Sequence, residues 1–132
     1  MKFMLMMNCP RNGYERFGAI QPDILQAHMA FMHKFGAKLS AAGELVAAEG
    51  LSAPTEAKLV RMGKNGKPAT DGVFAESKEY LAGFWIIDVD SAKTAYERAA
   101  EASTAPLPPD IVLEIEVREV MTMSQHEGCG SL

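Results

Sequence analysis

Residues 2–8 are apolar on both alternating faces, with Phe3, Leu5 and Met7 on one and Met4 and Met6 on the other. That pattern predicts a central strand covered on both sides. Residues 9–21 form a long polar connector broken by Pro10, Asn12, Gly13 and Gly18, and connectors of this length are often mobile or functional. Pro22 and Asp23 suit the first turn of a helix. Leu25, Met29, Met32, Gly36 and Leu39 then recur at helical spacing, which predicts a helix facing a core, with Gly43 as its C-terminal cap. Residues 44–49 and 58–62 read as two further strands, and the Asn65-Gly66 pair predicts a tight turn returning as a short strand near 69–74. Residues 83–89, GFWIIDV, read as the clearest strand, with aromatic and β-branched residues throughout. Asp90 and Ser91 offer N-cap chemistry for a second helix reaching about Ala102. Ala95, Ala99 and Ala102 make one side of that helix thin enough to lie close to a sheet, and Pro106, Pro108 and Pro109 prevent its continuation. Residues 111–120 alternate, with Ile111, Leu113, Ile115 and Val117 opposite Glu114, Glu116 and Arg118.

The predicted order is β-α-β-(β-β)-β-α-β, which indicates an α+β fold. The split βαβ arrangement of ferredoxin-like folds matches it, with an inserted hairpin, an antiparallel sheet and both helices on one face. A single domain is expected over 1–123, followed by a flexible, Gly-rich tail at 124–132. Two helices cover only one face of such a sheet, while the first strand is apolar on both. The second face therefore needs a partner, and a second copy of the chain is the simplest one, so a homodimer with two sheets packed face to face is expected.

Composition narrows the function classes. The chain has 132 residues, 48% hydrophobic and 23% charged, with a formal net charge of -4. That is an ordinary soluble composition for one domain. A mildly acidic chain with no Lys/Arg cluster has no long-range attraction for phosphate backbones, so nucleic acid is not an expected partner. The N-terminal apolar run is too short for a membrane span and lacks a signal-peptide cleavage site, so neither a membrane partner nor export is expected. The expected location is cytoplasmic, with Cys9 and Cys129 as free thiols.

The most charged connector runs from Asp71 through Gly72, Phe74, Ala75, Glu76, Lys78 and Glu79 into the GFWIIDV strand. This run, with Lys2-Phe3-Met4-Leu5, Gly43-Glu44-Leu45, Glu49-Gly50-Leu51, Gly83-Phe84-Trp85 and Glu116-Val117-Arg118, resembles the DGPF branch of the YCII-related proteins over roughly residues 1–120. The resemblance implies a dimeric α+β barrel of ferredoxin-like protomers, often encoded beside extracytoplasmic-function sigma factors, with no settled activity. Val73 stands where the family pattern has proline. The histidine that the wider group carries at the start of its first helix falls near Leu25, so that group's His–Asp pair is not carried over.

The candidate chemistry has a functional and a structural side at each position. Asp71 and Glu76 could act as acid or base, with Lys78 and Glu79 lining a polar ligand cavity. The same residue types also build turns, cap amides and pair with each other. His28 lies between Leu25 and Met32 by helical spacing and is a reserve base, or else a hydrogen-bonded core histidine. Tyr80 and Trp85 could stack on a ligand or pack a core. Arg118, between carboxylates, could bind an acidic ligand or serve an interface. His126, Glu127 and Cys129 lack a second ligand pair at zinc spacing, so no metal is expected, and no cofactor-binding motif is present. The leading expectation is a small homodimer that binds a small molecule in a cavity near connector 71–79. Cofactor-independent acid/base chemistry is the form that catalysis would take there. The alternative is a non-enzymatic regulatory or protein-interaction module associated with sigma-factor regulation.

Overall fold

The computed structural model describes residues 1–10, 20–72 and 79–123. The chain is α+β: β1 (Lys2–Pro10), α1 (Pro22–Ala41), β2 (Leu45–Gly50), a short 3-10 turn (Pro54–Glu56), β3 (Lys58–Met62), β4 (Pro68–Gly72), β5 (Glu79–Asp88), α2 (Ala92–Ala102) and β6 (Glu114–Glu119). Four strands form an antiparallel sheet in the order β2-β5-β1-β6, and β3 pairs with β4 in a separate hairpin. With the hairpin set aside, this is the ferredoxin-like order, in which an antiparallel strand separates the two strands joined by each helix.

β1 occupies the interior of the sheet, as its two-faced apolar pattern requires. Phe3 and Leu5 point toward the helices and are buried, with Trp85 and Ile87 beside them on β5. Phe35 and Leu39 of α1 and Ala95, Ala99 and Ala102 of α2 complete one core, so both helices lie on the same face. The alanine side of α2 allows the close approach that its sequence predicts. The α1 stripe differs from its sequence expectation. His28, Phe35 and Leu39 are its buried residues, whereas Leu25 and Met29 are exposed. The helix is turned by about one position so that its ring-bearing side meets the sheet, and Phe35 packs edge-to-face on Trp85 at 5.4 Å between centroids.

Local chemistry explains the element ends. At the end of α1 the Gly43 N–H donates to the Ser40 carbonyl and the Glu44 N–H to the Leu39 carbonyl, each at 3.0 Å, with Gly43 at φ +72°. This is a Schellman closure, which needs the left-handed conformation that glycine adopts without strain. Ser91 caps α2, its hydroxyl accepting from the Thr94 N–H at 3.2 Å. The Asn65-Gly66 turn closes the hairpin, with Asn65 Oδ1 accepting from the Lys67 N–H at 3.1 Å. Strand bounds differ from expectation at both termini of the sheet. β1 continues through Cys9 and Pro10, β5 starts at Glu79, and β6 starts at Glu114. The expected tail at 124–132 lies outside the described residues.

One ion pair fastens α2 to the loop before β2. Arg98 donates from Nε and Nη2 to the two Glu44 carboxylate oxygens at 2.7 and 2.8 Å, with both side chains largely shielded. The Arg98 hydrogen bonds hold the Glu44 carboxyl below its ordinary range, against an opposing effect of burial. A carboxyl with a depressed folded pKa contributes stability above its unfolded pKa and loses that contribution as pH falls through the folded value. Arg98→Ala is therefore expected to cost about 1–2 kcal/mol at pH 7. The difference from wild type should shrink below about pH 4. Urea unfolding of both proteins at pH 7 and pH 3.5 checks this. A gap that is as large at pH 3.5 as at pH 7 contradicts it.

Candidate functional site

A cavity of about 500 Å³ lies between α1, the β2 edge of the sheet and the segment 51–53 that follows β2. That volume falls within the range of pockets for small organic molecules, about 300–1,000 Å³. Its body is apolar and rich in sulfur, lined by the side chains of Met7, Met29, Met32 and Trp85. His28, Tyr80 and Cys9 supply its polar side chains.

A bulge in β5 brings Tyr80 to this site. Met7 pairs with Gly83, but Asn8 pairs with Leu81, so Ala82 is an extra residue in the ladder. On a regular strand Tyr80 and Trp85, five positions apart, would face opposite sides of the sheet. The bulge reverses the alternation, so Tyr80 stands opposite Cys9 and packs into the small cluster of Cys9, Ala105 and Leu113 on the helix side. Next to it, Gly83 lies against β2. A Cβ at Gly83 would come within 2.9 Å of the Glu49 carbonyl oxygen, so the close approach of the two strands requires glycine there.

His28 projects from the second turn of α1 and is 6% exposed. Its Nδ1 lies 3.0 Å from the Pro106 carbonyl oxygen. A carbonyl can only accept, so Nδ1 carries the proton and donates to it. The proline-rich segment after α2 thus orients the imidazole. Cys9 is a buried free thiol. Burial pushes its pKa up, a hydrogen bond with Tyr80 opposes the rise, and the nearby Glu79 carboxylate adds to it. It is held as the neutral thiol at neutral pH, which suits packing against a ligand better than nucleophilic attack.

The other sequence candidates fall elsewhere. Asp71 lies on the β3–β4 hairpin, where Arg61 Nη1 donates to its Oδ2 at 2.9 Å in an exposed ion pair, and it does not border the cavity. Arg118 lies exposed on β6 opposite Met4, on the sheet face away from the helices. Glu79 opens β5 immediately before Tyr80. Glu76 and Lys78 lie outside the described residues. Among the described residues no cluster of His, Cys, Asp and Glu could hold a metal ion, and no helix is long and apolar enough to cross a membrane. Sequence reasoning missed Cys9, Glu49, Gly36 and segment 51–53 as cavity residues. A glycine in the middle of an amphipathic helix was the one available signal.

The model of the YCII-related domain matches residues 1–123. The chain belongs to the YCII-related family. No curated protein matches it. In this YCII-related chain the helix-side cavity collects three residues that the sequence singles out, His28 from α1 and Tyr80 and Trp85 from either side of the bulge in β5.

Proposed function

We propose that this YCII-related protein binds a small molecule in the cavity beneath α1, acting as a cytoplasmic homodimer of the DGPF type. The observation that carries the reading is the convergence of His28, Tyr80 and Trp85 on one cavity of about 500 Å³, with Glu79 of the charged connector next to Tyr80. The apolar body supplies binding area, and the few polar groups orient the ligand. Where the bound molecule reacts, the chemistry is proton transfer without a cofactor. His28, oriented through Nδ1 by the Pro106 carbonyl, is the base that the geometry favours. Glu76 and Lys78 keep their assignment as acid/base and anion-anchoring groups of the connector that leads into β5, and Asp71 is the least favoured of the candidates because Arg61 engages it on the hairpin.

A protein-observed NMR screen of fragment-sized compounds tests the proposal. Hits are expected to shift the indole N–H signal of Trp85, the chain's single tryptophan. They should lose about tenfold or more in affinity, roughly 1.4 kcal/mol, in His28→Asn or Tyr80→Phe, with each variant's far-ultraviolet circular dichroism retained. An absence of hits at Trp85, together with co-purification of a protein partner, would instead support the regulatory module associated with sigma factors.

A further inference from the structure

Gly36 stands in the middle of α1, half-buried, and borders the cavity. Glycine is the poorest helix former after proline, so a helix interior normally excludes it. No steric reason requires it among the described residues, because a Cβ built on Gly36 meets none of their atoms within 4 Å. A side chain at this position would begin in space that the described residues leave open. What glycine provides is room in the cavity, at a cost in helix stability.

The walls around that room favour one shape of ligand. The sheet side presents Ala48, Ala82 and Gly83, with little side chain between a ligand and the strands. Such a floor lets a flat molecule lie close to peptide planes. Across from it are the thioethers of Met29 and Met32 on α1, and Trp85 of β5 also lines the cavity. Thioether sulfur makes favourable contacts with aromatic rings, and indole stacks or meets them edge-on. A flexible alkyl chain gains little from either and loses rotational freedom on binding.

Resting on the small-molecule reading above, we propose that the cavity takes a planar aromatic ring compound with one polar substituent, and that Gly36 sets the size of ring it admits. The ring lies between the small-residue floor and the α1 methionines, and its substituent points to the Tyr80 and His28 end.

Two alcohols of equal carbon number, 2-naphthol and 1-decanol, separate ring from chain. Titrations followed at the Trp85 indole N–H signal are expected to give at least tenfold tighter binding of 2-naphthol. Gly36→Leu should weaken 2-naphthol at least tenfold while leaving the melting temperature equal to or above that of wild type. Gly36→Ala should raise the melting temperature and change binding by no more than about twofold, which separates helix stability from occupancy. Equal binding of the two alcohols, or unchanged 2-naphthol binding in Gly36→Leu, overturns the ring assignment and leaves the small-molecule reading standing. A Trp85 signal that responds to neither alcohol also overturns it, and the broader fragment screen then decides the parent reading by itself.

Discussion

Leu5→Ala is expected to lower the unfolding free energy by about 3–5 kcal/mol. This is a large share of the roughly 5–15 kcal/mol that holds a domain of this size together. Leu5 is fully buried on the interior strand β1, flanked by Trp85 on β5 and Val117 on β6, and in one core with Phe35 and Leu39. Each of these neighbours belongs to a strand or helix held by its own ladder, so the space left by the isobutyl group cannot close cheaply. In urea the transition midpoint should fall with little change in slope, and the melting temperature should drop by roughly 10–20 °C. Val60→Ala, on the exposed face of β3, is the control and should stay within about 0.5 kcal/mol. Both variants must be compared with wild type at one protein concentration, since association would add to the apparent stability. A loss below about 1 kcal/mol for Leu5→Ala would mean that the helix layer and sheet are not packed as described.

What the sequence revealed and what it hid follow from the range of the interactions involved. Turn and cap chemistry acts over a few residues, so Gly43, Asn65-Gly66 and Ser91 were readable where they stand. The two-faced apolar pattern of residues 2–8 correctly placed β1 inside the sheet, because burial on both faces leaves that mark on the chain itself. The site was less legible. Tyr80 reaches the cavity only because Ala82 is an extra residue, and a bulge is a property of the pairing between two strands. Trp85 and Tyr80 look like opposite-face residues until the register is known. The α1 stripe shifted for a similar reason: Met29 and Gly36 fit an apolar periodicity, but that side of the helix borders an opening instead of solid core. Asp71 shows the reverse case. Its charge density suggested a site, and the hairpin answers it with Arg61 across the strands.

Ile86→Glu is expected to convert the proposed homodimer to a monomer. Met4, Met6, Phe84 and Ile86 lie half-buried on the sheet face opposite the helices, and the pairings Met4 with Ile86 and Met6 with Phe84 make them neighbours. Exposed Glu114, Glu116 and Arg118 border this apolar centre on β6, and Asn8 Nδ2 donates to Glu116 Oε1 at 3.0 Å. An apolar centre with a charged margin is the usual anatomy of an interface between subunits. Face-to-face packing of two sheets would bury the centre and leave the margin to pair across the junction. A two-fold axis doubles any change, because each copy brings the same residue to the contact. A carboxylate at position 86 would then place two unpaired charges in the interface, each costing about 3–5 kcal/mol unless it takes up a proton. Sedimentation or light scattering should report wild type at twice the 14.3 kDa chain mass. The variant should run at the single-chain mass with its far-ultraviolet circular dichroism retained. Tyr96→Glu, on the exposed side of α2, should leave the dimer intact. A wild-type monomer at micromolar concentration, or an Ile86→Glu dimer as tight as wild type, would remove the sheet-to-sheet assembly. It would leave the cavity untouched, because the cavity lies on the helix side of the same sheet.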